Sequence, residues 1–155
     1  MSNSKDRPGI GLKTQPKKDA LAVALDAVND RWSLHIVRAL AFGATRYTEI
    51  LRAVGAPRDV LAARLRKLTE SGIVHARPGE NGRAGYELTQ KGRDLGQVIL
   101  VLKRWGDTYR DEGVPKIDFI HEGCGEVFVA ELHCQACQRV LGAGELSLDM
   151  SAAAC

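Results

Sequence analysis

Four side chains near the C-terminus have the types and spacing of metal ligands. His121-x2-Cys124 is followed by Cys134-x2-Cys137, with nine residues between Cys124 and Cys134. Zinc takes four nitrogen or sulfur ligands in a tetrahedron, and two residues spaced by two present their side chains on one knuckle. The arrangement resembles a small zinc ribbon with His in place of one Cys. Three readings of these residues compete: a structural zinc site, a thiol switch in which Cys124 bridges to Cys134 or Cys137, and reduced cysteines packed in a β-rich appendage. Zinc is the first choice, because so short a tail has little core of its own. His133 is a rival ligand badly placed for the same knuckle, and Cys155 at the terminus is incidental.

A second group of residues could bind an anion. Residues 46–93 carry ten Lys/Arg against five Asp/Glu, whereas residues 117–155 carry one Arg against six acids. A basic middle and an acidic tail suggest an anionic partner held by the middle. Within it, Arg58, Asp59, Ala62, Ala63 and Arg66 share one helical face if Leu61, Leu65 and Leu68 face a core. That outer face is small at its centre and basic at its edges. It suits a DNA major groove, where the alanines let backbone approach base edges and thymine methyls, Arg58 reaches guanine or phosphate, and Asp59 accepts from cytosine. Arg46 and Thr48 flank the start of the preceding helix, where the DNA backbone would pass. Arg77 and Arg83 lie on a hairpin that could track phosphates or the minor groove.

Such a face needs scaffolding, and the chain supplies the punctuation for it. Residues 1–18 are polar, basic and rich in Gly and Pro, and read as a flexible arm. Asp19 caps a first helix with Leu21, Leu25 and Val28 on one face. Asp30 caps a second with Trp32, Ile36 and Leu40, closed by Gly43. Thr48 serves as N-cap of a short third helix with Ile50, Leu51 and Val54 inward. Gly55 turns the chain, Pro57 fits a first helical position, and the fourth helix ends at Ser71-Gly72. Strands Ile73–Arg77 and Gly85–Leu88 then flank a turn-rich segment. Helices followed by a hairpin give the winged helix-turn-helix order.

Thr89 caps a long helix from about Gln90 to Arg110. Leu95, Val98, Leu102, Trp105 and Tyr109 follow heptad spacing, and Ile99 and Val101 broaden the stripe. So wide a stripe predicts pairing with a second copy, and a two-fold dimer would read an inverted repeat. The fold class is therefore mainly α with a small β-hairpin. Its expected parts are the arm 1–18, a DNA-binding and dimerisation domain 19–112, and a Cys/His tail 113–155.

Several segments together resemble the HxlR family of bacterial regulators. They are Asp30-Arg31-Trp32-Ser33-Leu34, Arg46-Tyr47-Thr48-Glu49-Ile50, Leu61-x3-Leu65-x2-Leu68-x3-Gly72, Tyr86-Glu87-Leu88-Thr89-x2-Gly92 and Trp105-Gly106. The resemblance covers about residues 19–112. It implies a dimeric winged-helix transcription factor that binds a promoter and often answers to a small molecule or a redox signal. Two departures stand out. Ala56 replaces the Ser common before the recognition helix, and no cysteine precedes Cys124, so the N-terminal thiol of redox-sensing members is missing.

Other functions are disfavoured. The sequence has no Gly-rich phosphate loop, nucleophile elbow or paired carboxylates, so an enzyme is not expected. A winged helix serving protein–protein assembly without DNA is the main rival, and the basic outer face argues against it. Asp19 and Asp26 interrupt the apolar stretch after Lys17-Lys18, and no apolar run approaches the ~18 residues of a membrane span. A cytoplasmic location is the corresponding expectation.

Overall fold

A computed structural model of the chain describes residues 19–78, 84–142 and 144–147. Seven elements follow in order: α1 (Ala20–Val28), α2 (Ser33–Ala41), α3 (Tyr47–Val54), α4 (Arg58–Glu70), β1 (Val74–Pro78), β2 (Ala84–Leu88) and α5 (Gln90–Thr108). The arm lies outside the described residues. The chain divides into two compact units, Met1–Arg93 and Asp94–Cys155, with the division inside α5. The reason is that the later part of α5 holds the tail. Arg104 Nη1 donates to the Ala130 carbonyl at 2.5 Å, and Lys103 lies over the Phe119 ring.

In the first unit the apolar periodicity builds the core. Ile36, Val37, Ile50, Leu61, Leu65, Leu68, Ile73 and Val74 are all buried, which joins α2, α3, α4 and β1. β1 and β2 pair antiparallel, with Val74 opposite Leu88 and Pro78 opposite Ala84. A bridge from Arg46 to Gly85, with Tyr86 N donating to Thr45 O at 2.8 Å, adds the segment before α3 to this ribbon. The first helix forms as expected. Asp19 does cap the helix through Ala22 N at 2.7 Å, but α1 buries no residue, and Leu21 and Leu25 are exposed. Its stripe is amphipathic, yet no element among the described residues covers it.

Two contacts lock the ends of the core. Thr89 Oγ1 accepts from Gly92 N at 3.2 Å and donates to Gly72 O at 2.7 Å, which caps α5 and ties it to the end of α4. Gly92 has no room for a side chain, since an added Cβ would lie 2.3 Å from the Ile73 carbonyl oxygen. In the second unit the strand-like stretches expected at 117–120 and 126–132 are reduced to isolated bridges, Ile120 to Val127 and His133 to Val140.

Candidate nucleic-acid interface

The helix-turn-helix is assembled from α3, a turn and α4. Gly55 adopts φ +70°, a left-handed conformation natural to glycine, and closes α3 through its amide to Leu51 O at 2.9 Å. Ala56 is buried in the turn. Pro57 is the N-cap of α4 and helical geometry begins at Arg58, one residue later than expected. No side chain caps this end. The Tyr47 hydroxyl instead donates to the Arg58 carbonyl at 2.7 Å, pinning the start of α4 to the start of α3.

The N-terminus of α3 also differs from expectation. Arg46, not Thr48, is the N-cap, and Thr48 is an exposed residue inside the first turn. Glu49 supplies the carboxylate, accepting from Thr45 N at 2.9 Å and Arg46 N at 3.0 Å. These amide bonds, from Arg46 first and Thr45 second, hold its carboxyl below the usual glutamate value. This N-terminus is consequently stable without Thr48, whose hydroxyl is left at the surface.

On α4 the division of faces is clean. Leu61, Leu65 and Leu68 are buried, while Arg58, Asp59, Ala62, Ala63 and Arg66 are exposed. Arg64, on the same helix, turns back toward the core. Its Nε lies 3.4 Å from Asp30 Oδ1. Asp30 in turn accepts from the Trp32 and Ser33 amides at 2.9 and 3.0 Å and from the fully buried Ser33 hydroxyl at 2.5 Å. Burial pushes the Asp30 carboxyl upward. The Ser33 and Trp32 hydrogen bonds and the Arg64 charge outweigh it and leave the value lowered. One carboxylate thereby starts α2 and fixes α4 from behind, leaving the outer face to the solvent.

The wing is more constrained than its composition suggests. Arg77 Nη1 lies 2.6 Å from Glu87 Oε1, and His75 Nε2 lies 3.5 Å from Glu87 Oε2. Arg77 is exposed but already ion-paired across the ribbon. Arg83 falls outside the described residues.

Along α5 and one residue past its end, Leu95 and Ile99 are half-buried, while Val98, Leu102, Trp105 and Tyr109 are 54, 49, 63 and 70% exposed. Trp105 and Tyr109 stack obliquely, with ring centroids 5.5 Å apart. Beside the later part of this helix lies a cavity of about 300 Å³, lined by Leu100, Lys103, Arg104, Phe119 and Phe128 among others.

The expected metal ligands form two pairs and not one cluster. His121 Nδ1 lies 3.3 Å from Cys124 Sγ. Cys134 accepts from the Cys137 and Ala136 amides and bonds the Cys137 thiol, and these contacts lower its thiol pKa. Among the described residues no three His, Cys, Asp or Glu side chains come together as a metal-holding group, so the four-ligand cluster expected from spacing is not formed here. Cys124, Cys134 and Cys137 are free thiols. Among the described residues no helix is long and apolar enough to cross a membrane.

Comparison with known proteins places this geometry. The sequence profile of the HxlR-like helix-turn-helix family matches residues 27–114. The HTH-type transcriptional regulator Rv3095 of Mycobacterium tuberculosis is 41% identical over 123 residues, covering 77% of each chain. YybR of Bacillus subtilis, named likewise, is 30% identical over 62% of this chain and 81% of its own. Among solved structures, PA1607, described as a proposed transcription factor, superposes with a TM-score of 0.78 at 29% identity, over 86% of this chain and 95% of that one. The redox regulator HypR in its reduced form gives 0.54 at 28% identity, over 60% and 95%.

Proposed function

The chain belongs to the HxlR-like helix-turn-helix family, an HTH-type group of transcriptional regulators and not of enzymes, and from that premise we propose that it works as a homodimer whose two copies of α4 read an inverted-repeat operator. The observation that carries the reading is the outer face of α4. Arg58 and Arg66 bracket two exposed alanines on a helix whose opposite face is locked into the core. A surface of this kind lets helix backbone approach base edges while the arginines reach guanine or phosphate, and Asp59 can accept from a cytosine amino group. Arg46 and Thr48, exposed at the start of α3, support contacts to the DNA backbone next to that groove. Arg77 contributes less, because DNA must compete with Glu87 for it. A protein–protein role without DNA is disfavoured, since an assembly face would bury apolar side chains where α4 exposes arginine and alanine.

The dimer rests on α5. Val98, Leu102, Trp105 and Tyr109 repeat at four, three and four residues and expose aromatic and aliphatic surface that no other part of the described chain covers. Large exposed apolar rows on a soluble chain mark association sites, and the heptad interval suits a second copy of the same helix. A small-molecule effector, if the regulator answers to one, has the cavity beside Leu100 and Phe119 as its natural seat, within the unit that carries the dimer helix. These roles, and the absence of a spanning helix among the described residues, fit work in the cytoplasm.

Fluorescence anisotropy with DNA from upstream of the chain's own gene tests the reading. Arg58→Ala and Arg66→Ala should each weaken binding about tenfold, the loss of one arginine contact to base or phosphate. Undiminished binding in both variants would remove α4 from the interface, and no binding by the unaltered chain would favour protein–protein assembly.

A further inference from the structure

Residues 119–128 and 132–141 are one hairpin built twice, thirteen positions apart. The bridge Ile120 to Val127 recurs as His133 to Val140. The inner bond from His121 N to Glu126 O, 2.9 Å, recurs from Cys134 N to Arg139 O, also 2.9 Å. The outer bond from Phe128 N to Phe119 O, 2.7 Å, recurs from Leu141 N to Leu132 O, 2.8 Å. At the tips, Gly125 N donates to His121 O and Gln138 N to Cys134 O, each at 2.8 Å. Both closing residues are left-handed, with φ +76° at Gly125 and +59° at Gln138. Gln138 is the one non-glycine residue with positive φ among those described, a conformation that costs such a residue about 1 kcal/mol and that persists where the surroundings require it.

The repeat places chemistry in register. His121 matches Cys134, and Cys124 matches Cys137, so each tip presents two soft or borderline donors from the same two positions. In the first tip the donors His121 Nδ1 and Cys124 Sγ are 3.3 Å apart, close to the roughly 3.5 Å that separates two ligands on one tetrahedral zinc ion. In the second, the amides of Ala136 and Cys137 point at Cys134 Sγ, an arrangement that suits a metal-bound thiolate. The neighbouring position follows the ligand's size. It is Ala136 beside the cysteine but Gly123 beside the imidazole, where an added Cβ would lie 3.0 Å from His121 Cε1.

These hairpins have little else to hold them. Beyond α5, Ala130 is the one buried residue among those described, and Val127, Phe128, Val129, Leu132 and Val140 are all exposed. Their bases are tied to α5 through Arg104, which bonds Ala130 O and lies 3.8 Å from Glu131. The tips bear the ligands. Segments this small and poor in core are ordinarily stabilised by a metal or a disulfide.

We propose that the two tips are half-sites of one structural zinc site, with His121, Cys124, Cys134 and Cys137 as its ligands. In this structure they stand as two pairs, so binding requires the tips to close on the ion while Arg104 holds their shared base at Ala130. The ion would supply the tail with the cross-link that its missing core does not.

The test uses the full chain, purified reduced and without chelator, with metal content measured by plasma mass spectrometry. About one zinc per chain is expected for a closed four-ligand site. Exchange with cobalt(II) should give the strong visible bands of tetrahedral coordination together with sulfur-to-cobalt charge transfer. Cys124→Ser and Cys137→Ser, one from each hairpin, should each lower retained zinc at least fivefold. Circular dichroism and DNA binding of these variants would check that the first unit is intact. Four results would overturn the proposal: no retained zinc and no cobalt spectrum, a disulfide joining the hairpins in the freshly isolated chain, one zinc per two chains, or a spectrum that survives the double variant Cys134→Ser/Cys137→Ser.

Discussion

The two units of this chain reach order by different routes. In the first, apolar residues recur at helical and strand intervals and meet in a core where Ile36, Ile50, Leu61 and Leu68 are fully buried. In the second, past α5, most apolar side chains are exposed, with Ala130 the one buried residue among those described, and the structure rests on backbone hydrogen bonds of two repeated hairpins. The two parts must draw their stability from different sources. The first unit carries its stability within itself and can offer its outer face to a ligand. The second leaves the row on α5 and most apolar side chains of the tail at the surface, and a second copy for the row and a metal ion for the hairpin tips are the proposed sources of what it lacks.

Paired truncations would break that comparison most sharply. Leu65→Ala should destabilise the first unit by about 3 kcal/mol, because a buried leucine leaves a cavity in a close-packed core. Phe128→Ala, an aromatic of similar bulk in the tail, should cost under about 1 kcal/mol, since it is 41% exposed already. Denaturant unfolding of the two variants measures both values, and equal costs would mean that the tail has a core of its own. Next in size is the dimer. Trp105→Glu puts a charge in the centre of the exposed row and should convert a dimer to a monomer by light scattering, with the helical circular dichroism unchanged.

Asp30 gives a smaller and pH-dependent effect. Its folded pKa is lowered, so the stability it contributes is present above the unfolded value of about 3.9 and is lost as pH falls through the folded value. Asp30→Asn should cost about 1 kcal/mol at neutral pH and flatten the acid limb of the stability profile. A variant whose acid limb matches that of the unaltered chain would show that other carboxylates set it. Smallest of all, Arg77→Ala should change stability by less than about 0.5 kcal/mol, as expected for an exposed ion pair, and its DNA affinity measures how far Glu87 has already claimed the side chain.

Much of the first unit was legible in the residues because burial has a period. Leu61, Leu65 and Leu68 had to share a face, and their burial then placed Arg58, Ala62, Ala63 and Arg66 outside. What the spacing could not show was which partner covers a stripe. The α1 row of Leu21 and Leu25 has the periodicity of a core face and lies at the surface. Pairings distant in sequence were also hidden. Asp30 was readable as a cap, but the return of Arg64 to it depends on how α2 and α4 meet. The Arg77–Glu87 pair requires the strand register, which places His75 opposite Glu87 and Arg77 one step diagonal to it. Thr48 was misplaced because a threonine is the common cap, whereas Glu49 satisfies the amides from inside the helix. In the tail the ligand types and spacings were visible, while the equivalence of the two hairpins emerged only from their hydrogen bonds.

Entry of the exposed face of α4 into DNA is tested by a carboxylate placed at its middle. Ala63→Glu leaves Leu61, Leu65 and Leu68 untouched and exposes its new charge where a base edge or phosphate would lie. In anisotropy titrations with the upstream DNA, the variant should keep its thermal stability and lose at least about a hundredfold in affinity, as expected for a like charge in the groove. Affinity within about threefold of the unaltered chain would contradict it and place the DNA on another surface.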